Sequence, residues 1–198
     1  MIVEYEKGDN YMKKKILAVL ASPRKDGYSS YLADRVIEKL QKLDARVERI
    51  VLKGLNVGPC LACDACRKKE NEFCVVDDDM KPLYRKIIES DAVLLASPVY
   101  WFAVCAQMKL FIDRFYGFHT DQNGILKGKK FGIILSYGDV DPFGAGAVNA
   151  LRSFQDMFRY TESEICCMLY KTEIAAQNRI ADPVLDDEIA LAAGALIG

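Results

Sequence analysis

Short apolar runs alternate with longer stretches of helical spacing along most of this chain. Residues 14–21 (KKILAVLA) are apolar behind two lysines and lead into Ser22-Pro23-Arg24, the profile of a buried parallel strand. From Ser29 the spacing changes. Leu32, Val36, Leu40 and Leu43 recur at i, i+4, i+8 and i+11, one stripe of an amphipathic helix. A second strand is predicted at Arg46–Leu52, then a helix over Asp79–Ser90 with Asp78 or Asp79 as its N-cap. A third strand at Ala92–Ala96 is expected to end at Ser97-Pro98. Helices at Val104–Phe118, Gly146–Tyr160 and Pro183–Ile197 alternate with strands at Phe131–Ser136 and Glu164–Tyr170. Alternation of this kind predicts a parallel sheet with helices on both faces. Right-handed crossovers leave few topologies, and the simplest is a three-layer α/β sandwich with five strands in the order 2-1-3-4-5.

That order defines the flavodoxin-like fold. At 198 residues the chain suits a single domain, expected over 13–198 after an N-terminal extension at 1–12. A cysteine-rich insert at about 56–78 follows the second strand. Twenty-seven basic residues face twenty-eight acidic ones, which argues against a nucleic-acid binder held by phosphate charge. No run of 18 apolar residues is present, and the polar start MIVEYEKGDN is no signal peptide, so a cytoplasmic protein with no membrane partner is expected.

In open α/β sheets ligands sit beyond the carboxyl ends of the strands, at the switch in strand order. The loops expected there are the unusual parts of the sequence. The first, Ser22 to Ser30, offers the hydroxyls of Ser22, Ser29 and Ser30, the cation of Arg24 and a turn at Gly27. It ends on a helix N-terminus, where free amides favour an anion. It contains neither a Walker loop nor a G-x-G-x-x-G turn. A polar loop that merely caps a helix is one reading; a phosphate monoester site is the sharper one. The second loop, Ser97-Pro98-Val99-Tyr100-Trp101-Phe102, carries three consecutive aromatics, which suit a planar ligand, a hydrophobic lid or a subunit contact. The third begins Ser136-Tyr137-Gly138 and is rich in glycine.

An anion pocket facing an aromatic wall has the shape of a flavin mononucleotide site. The pattern S-P-R-x-x-G…S followed by S-P-V-Y-W resembles the NAD(P)H-dependent FMN reductase group of flavodoxin-like proteins. The resemblance implies that Ser22, Arg24, Ser29 and Ser30 hold the phosphate, with Gly27 shaping the loop. It implies that Pro98, Val99, Tyr100, Trp101 and Phe102 border the isoalloxazine, and that Ser136, Tyr137 and Gly138 lie at its far edge. Tyr28 departs from the small polar residue common in relatives.

Seven cysteines without an export signal point to metal, cluster, redox chemistry or buried thiols. Four of them, Cys60-x2-Cys63-x2-Cys66-x7-Cys74, crowd into fifteen residues beside Arg67, Lys68 and Lys69. A C-x2-C-x2-C loop can wrap three thiolates around a cubane, with the fourth supplied from further on. Zinc or free thiols remain open on spacing alone. The segment also resembles that of the iron–sulfur flavoproteins, a branch of the same reductase group, which implies a [4Fe–4S] cluster on Cys60, Cys63, Cys66 and Cys74. Cys105 reads as a helical core thiol. Adjacent Cys166 and Cys167 are expected to face opposite sides of a strand.

The implied activity is electron transfer from NAD(P)H or a redox protein such as ferredoxin, through FMN, to an acceptor. No side chain is assigned as catalytic, since the redox chemistry belongs to the cofactor. A flavodoxin-type carrier indifferent to nicotinamide and a zinc-stabilised interaction module are the rival readings. The resemblance also implies a homodimer or homotetramer.

Overall fold

The computed structural model describes residues 13–68, 72–120, 124–174 and 183–198. The predicted extension at 1–12 and Lys69 lie outside them. The elements in chain order are β1 Lys15–Leu20, α1 Tyr28–Lys42, β2 Arg46–Val51, α2 Met80–Glu89, β3 Ala92–Tyr100, β4 Ala103–Val104, α3 Ala106–Asp113, β5 Lys130–Tyr137, α4 Ala147–Tyr160, β6 Glu164–Thr172 and α5 Pro183–Ile197. Short 3-10 turns occupy Ala65–Arg67 and Arg114–Thr120. The sheet runs β2-β1-β3-β5-β6, all parallel, while β4 pairs antiparallel with β3. With that two-residue strand set aside, this is the expected 2-1-3-4-5 order.

Two apolar layers cover the sheet, and alternation along each strand assigns residues to them. Leu17, Val19, Val93, Leu95, Ile133 and Leu135 pack with α2, α3 and α4. Ile16, Ala18, Leu20, Leu94 and Ile134 pack with α1 and α5. In α1 the predicted stripe of Leu32, Val36 and Leu40 is fully buried, each side chain contributing about 1.5–3 kcal/mol. Leu43 falls off the stripe: the helix ends at Lys42, and Leu43 caps it from a half-exposed position.

Two local predictions are corrected and a third, the N-cap of α2, is borne out in position and refined. The third strand does not stop at Ala96 but continues through Ser97-Pro98 to Tyr100. Pairing with β1 ends at Leu20↔Ala96, so beyond it β3 borders only β5 in the parallel sheet, where a proline is tolerated. The helix predicted from Val104 begins at Ala106, and Cys105 is its buried N-cap residue rather than an interior one. At α2, Asp79 holds the N-cap position without a side-chain cap, and it is Asp78 whose Oδ1 accepts the Met80 N–H at 3.0 Å.

Candidate functional site

The first loop folds tightly on Ser22. Ser22 Oγ accepts the Arg24 N–H at 3.2 Å and donates to the Arg24 carbonyl at 3.3 Å. A Cβ at position 27 would lie 2.3 Å from Ser22 Oγ, so only glycine permits this approach. Gly27 is the N-cap of α1 and has no side chain to cap it, and the first turn contains no acidic residue. Ser29 is fully buried, and its Oγ has no hydrogen-bond partner. An uncapped N-terminus beside an unpartnered buried hydroxyl is a cradle suited to a phosphate. Tyr28 leaves that cradle: its ring is buried in the α1/α5 layer and stacks with Tyr31 at 5.8 Å.

What reads as a second loop is a tight β-hairpin. Tyr100 pairs with Ala103 and Val99 with Val104, leaving Trp101 and Phe102 as the two turn residues, at φ 49° and 65°. Positive φ at both centres is the I′ geometry, normally filled by Asn-Gly. Two bulky aromatics there store backbone strain of about 1–3 kcal/mol each. Trp101 is 92% exposed and Phe102 53%, so the strain does not serve burial. Pro98 is buried, and Val99 and Tyr100 are half-buried behind the tip.

The third loop meets the second directly. A Cβ on Gly146, which sits at φ 73°, would lie 2.6 Å from Phe102. Asn149 Nδ2 donates to the Phe102 carbonyl at 3.4 Å. Ser136 and Tyr137 are buried and Gly138 is exposed. Burial holds the Tyr137 phenol above its ordinary pKa.

One residue that the sequence did not single out ties these loops together. Glu173, next after β6, accepts from Ser136 Oγ at 3.0 Å and pairs with Arg24 Nη1 at 3.4 Å. The Arg24 guanidinium also stands 5.9 Å from the centre of the Tyr100 ring. The predicted phosphate, ring and edge residues thus share one end of the sheet. A lone Glu in a polar stretch carries no local signal of this role.

The cysteine insert joins β2 to α2 and packs against the turn at 114–120. Tyr116 Oη donates to Asp64 Oδ1 at 2.9 Å, and Arg67 stands 5.3 Å from the Tyr116 ring centre. Cys60 and Cys63 are exposed, Cys74 is half-buried and Cys66 is buried. Burial pushes the Cys66 thiol up, and Cys74, Cys60 and Cys63 raise it further, so the four sulfurs share one electrostatic neighbourhood. Among the described residues no three metal-ligating side chains stand at metal-binding spacing. The donor set nonetheless fits a thiolate-ligated centre: four sulfurs on one insert, with Arg67 on it and Arg114 close enough to feel Cys74.

The sequence pattern of one family, described as NADPH-dependent FMN reductase, matches residues 14–162, and the chain belongs to that family. Within it the chain falls in the iron–sulfur flavoprotein branch. An iron–sulfur flavoprotein of Archaeoglobus fulgidus is 41% identical over 128 residues, covering 64% of this chain and 56% of the relative. One from Methanocaldococcus jannaschii is 30% identical over 148 residues, covering 75% and 72%. For the Archaeoglobus relative and one from Methanosarcina thermophila, the match spans about half of the relative's length. Among solved structures, the NAD(P)H:quinone oxidoreductase of Methanothermobacter marburgensis superposes with TM-score 0.70 at 15% identity, over 91% of this chain and 94% of that one. A Streptococcus flavodoxin superposes with TM-score 0.57 at 17% identity, over 92% and 97%. At these identities the likeness is one of fold.

Proposed function

We propose that this protein is an FMN-dependent oxidoreductase with a [4Fe–4S] cluster as second centre, carrying electrons from NAD(P)H or a redox protein such as ferredoxin to an acceptor. The observation that carries the reading is the buried, unpartnered Ser29 Oγ at the uncapped start of α1. Membership of the FMN reductase family supports FMN as the ligand of that cradle, and the names of the related flavoproteins support the cluster.

Bound FMN supplies hydride and single-electron chemistry, and a cluster single-electron transfer. Ser29 and Ser30 would donate hydroxyls to the phosphate, as would Ser22 once its hydroxyl turns from the Arg24 carbonyl; the first amides of α1 would complete its shell, and Arg24 would add a fixed charge. Gly27 keeps the loop small enough for that approach. Pro98, Val99 and Tyr100 present the hairpin, and Trp101 and Phe102 offer ring faces to the flavin. Ser136, Tyr137 and Gly138 line the opposite edge. Cys60, Cys63, Cys66 and Cys74 ligate the cluster. Trp101, Phe102, Val140 and Phe143 are all exposed on the connected second and third loops, an apolar surface suited to a second copy of this chain in a homodimer or homotetramer.

Anaerobic purification followed by a visible spectrum and assays of flavin, iron, acid-labile sulfide and zinc tests the reading. Flavin with about four iron and four sulfide per chain is expected for one cubane. Zinc in place of iron, or neither, overturns the cluster; failure to bind added FMN overturns the whole. Bleaching of the flavin by NADPH or NADH identifies the donor. Its absence, with reduction by a protein donor, leaves an electron carrier.

A further inference from the structure

Cys166 and Cys167 do not face opposite sides of the sheet. In the register of β5 with β6, Phe131 stands opposite Ile165 and the next residue, Gly132, opposite Cys167. Cys166 is therefore the extra residue of a β-bulge. Strict alternation would send neighbours to opposite faces, but here both side chains pack on the α1/α5 layer.

The surroundings are shaped to the sulfurs. A Cβ on Gly132 would lie 2.9 Å from Cys167 Sγ, so the glycine leaves the space that the sulfur fills. Cys166 Sγ lies 3.5 Å from the Phe131 carbonyl. The bulge sets the two thiols side by side on one layer. The neighbouring Cys167 thiol, aided by the charge of Lys130 and opposed by burial, draws Cys166 down. The neighbouring Cys166 thiol and burial push Cys167 up. Both thiols open on a groove of about 640 Å³ between β6 and α5, lined also by Tyr170, Leu191 and Ala195.

Two adjacent thiols can join in a disulfide or share a third atom. Neighbouring Cα atoms across a trans peptide are ~3.8 Å apart, below the ~4.4 Å lower end of the usual disulfide range. A direct S–S bond here is thus the costlier outcome. A bridging atom with bonds of about 2.3 Å to each sulfur joins two thiols that need not come within bonding distance of one another.

We propose that Cys166 and Cys167 form a chelating dithiol site for one soft, thiophilic metal or metalloid centre. Softness selects the class, since thiolates prefer soft ions to hard ones. The groove admits the ligand, Cys166 is the first sulfur to bond, and Cys167 closes the chelate. The site is separate from the flavin loops: Gly132 and Tyr137 are five residues apart on β5, roughly 17 Å at strand rise. It does not depend on the FMN or the cluster.

Phenylarsine oxide is a suitable probe. Its arsenic forms two As–S bonds while its oxygen leaves as water with the two thiol protons, and no electrons are transferred. The holoprotein, reduced and then freed of reductant, is incubated with the arsenical, alkylated with N-ethylmaleimide, digested and mapped by mass spectrometry. On the peptide containing 164–172, one phenylarsenic group bridging both cysteines is expected, with alkylation slowed more than about tenfold. Cys166→Ser is expected to lose that protection while the flavin spectrum is unchanged. Alkylation of both cysteines at an undiminished rate overturns the proposal, as does protection that persists in Cys166→Ser. The wild-type map decides the matter even if the variant folds poorly, and the four cysteines of the insert report on other peptides.

Discussion

Arg114 and Asp78 form a buried, two-pronged ion pair at the base of the cysteine insert. Their side chains are 0% and 4% exposed, with Nη1–Oδ2 at 2.5 Å and Nη2–Oδ1 at 3.3 Å. The same Nη1 donates to the Gly58 carbonyl at 3.0 Å, and the Gly58 N–H donates to Asp78 Oδ2 at 2.9 Å. Gly58 stands two residues before Cys60 and Asp78 four residues after Cys74, so one cluster of hydrogen bonds pins both ends of the insert. Removing one partner leaves a buried charge unpaired, at a cost of about 3–5 kcal/mol. Asp78→Ala is expected to lower the urea midpoint accordingly, and to speed alkylation of Cys66 and Cys74. An unchanged midpoint would show that the pair is not structural.

The same pair sets an acid limit. Burial pushes the Asp78 carboxyl up, but its bonds to Arg114 and to the Gly58 and Met80 amides outweigh that, and its pKa is held below the ordinary value. A carboxylate depressed in the folded state stabilises it above the unfolded pKa of about 3.9, and loses that effect as pH falls through the folded value. Stability attributable to Asp78 is therefore constant at neutral pH and drops below about pH 4. Asp78→Asn is expected to lower the neutral plateau of stability, because it leaves the buried Arg114 charge without its carboxylate, and to flatten the acid limb. An unaltered acid limb would assign that limb to other carboxylates.

At the hairpin tip, strain and exposure coincide. Replacing Trp101-Phe102 by Asn-Gly supplies the residues that the turn favours and releases about 1–3 kcal/mol per strained position. The double variant is expected to melt higher and to bind FMN more weakly, a trade typical of strained functional sites. Calorimetry and a flavin titration measure the two effects. Higher stability with undiminished flavin affinity would remove the two aromatics from the ring wall.

Ser29 separates phosphate recognition from ring recognition. A hydrogen bond to a charged group contributes about 1.5–3 kcal/mol, so Ser29→Ala is expected to weaken FMN binding by roughly 10- to 100-fold. Riboflavin, which has no phosphate, is expected to bind the variant and the parent equally. Fluorescence titration with both ligands provides the comparison. An equal loss for both would mean that the substitution disturbs the loop as a whole.

Features legible in the sequence were those specified by local pattern. The stripe of Leu32, Val36 and Leu40 and the apolar runs at 14–21 and 131–136 define the layers because burial and periodicity coincide there. The hairpin was hidden because Trp101-Phe102 lacks a turn signature and Ser97-Pro98 imitates a strand end. The bulge at Cys166 depends on which β5 residue stands opposite, a fact of register that one strand alone does not contain. Arg24–Glu173 and Arg114–Asp78 join positions 149 and 36 residues apart. No local window shows that these side chains meet.

Glu173 places a carboxylate against the cation offered to the phosphate. Arg24 is 65% exposed, so the pair is screened and modest in strength, and an incoming phosphate competes with Glu173 for the same guanidinium. A carboxylate at that point also repels the dianion. Glu173→Gln retains an oxygen that accepts from Ser136 Oγ while removing the charge. FMN is therefore expected to bind this variant more tightly, by about 3- to 10-fold at low ionic strength, with the gain fading near 0.5 M salt as screening takes over. Riboflavin is expected to show no gain. Weaker FMN binding would mean that Glu173 serves chiefly to orient Arg24, and equal binding at all salt concentrations would remove Arg24 from the phosphate shell.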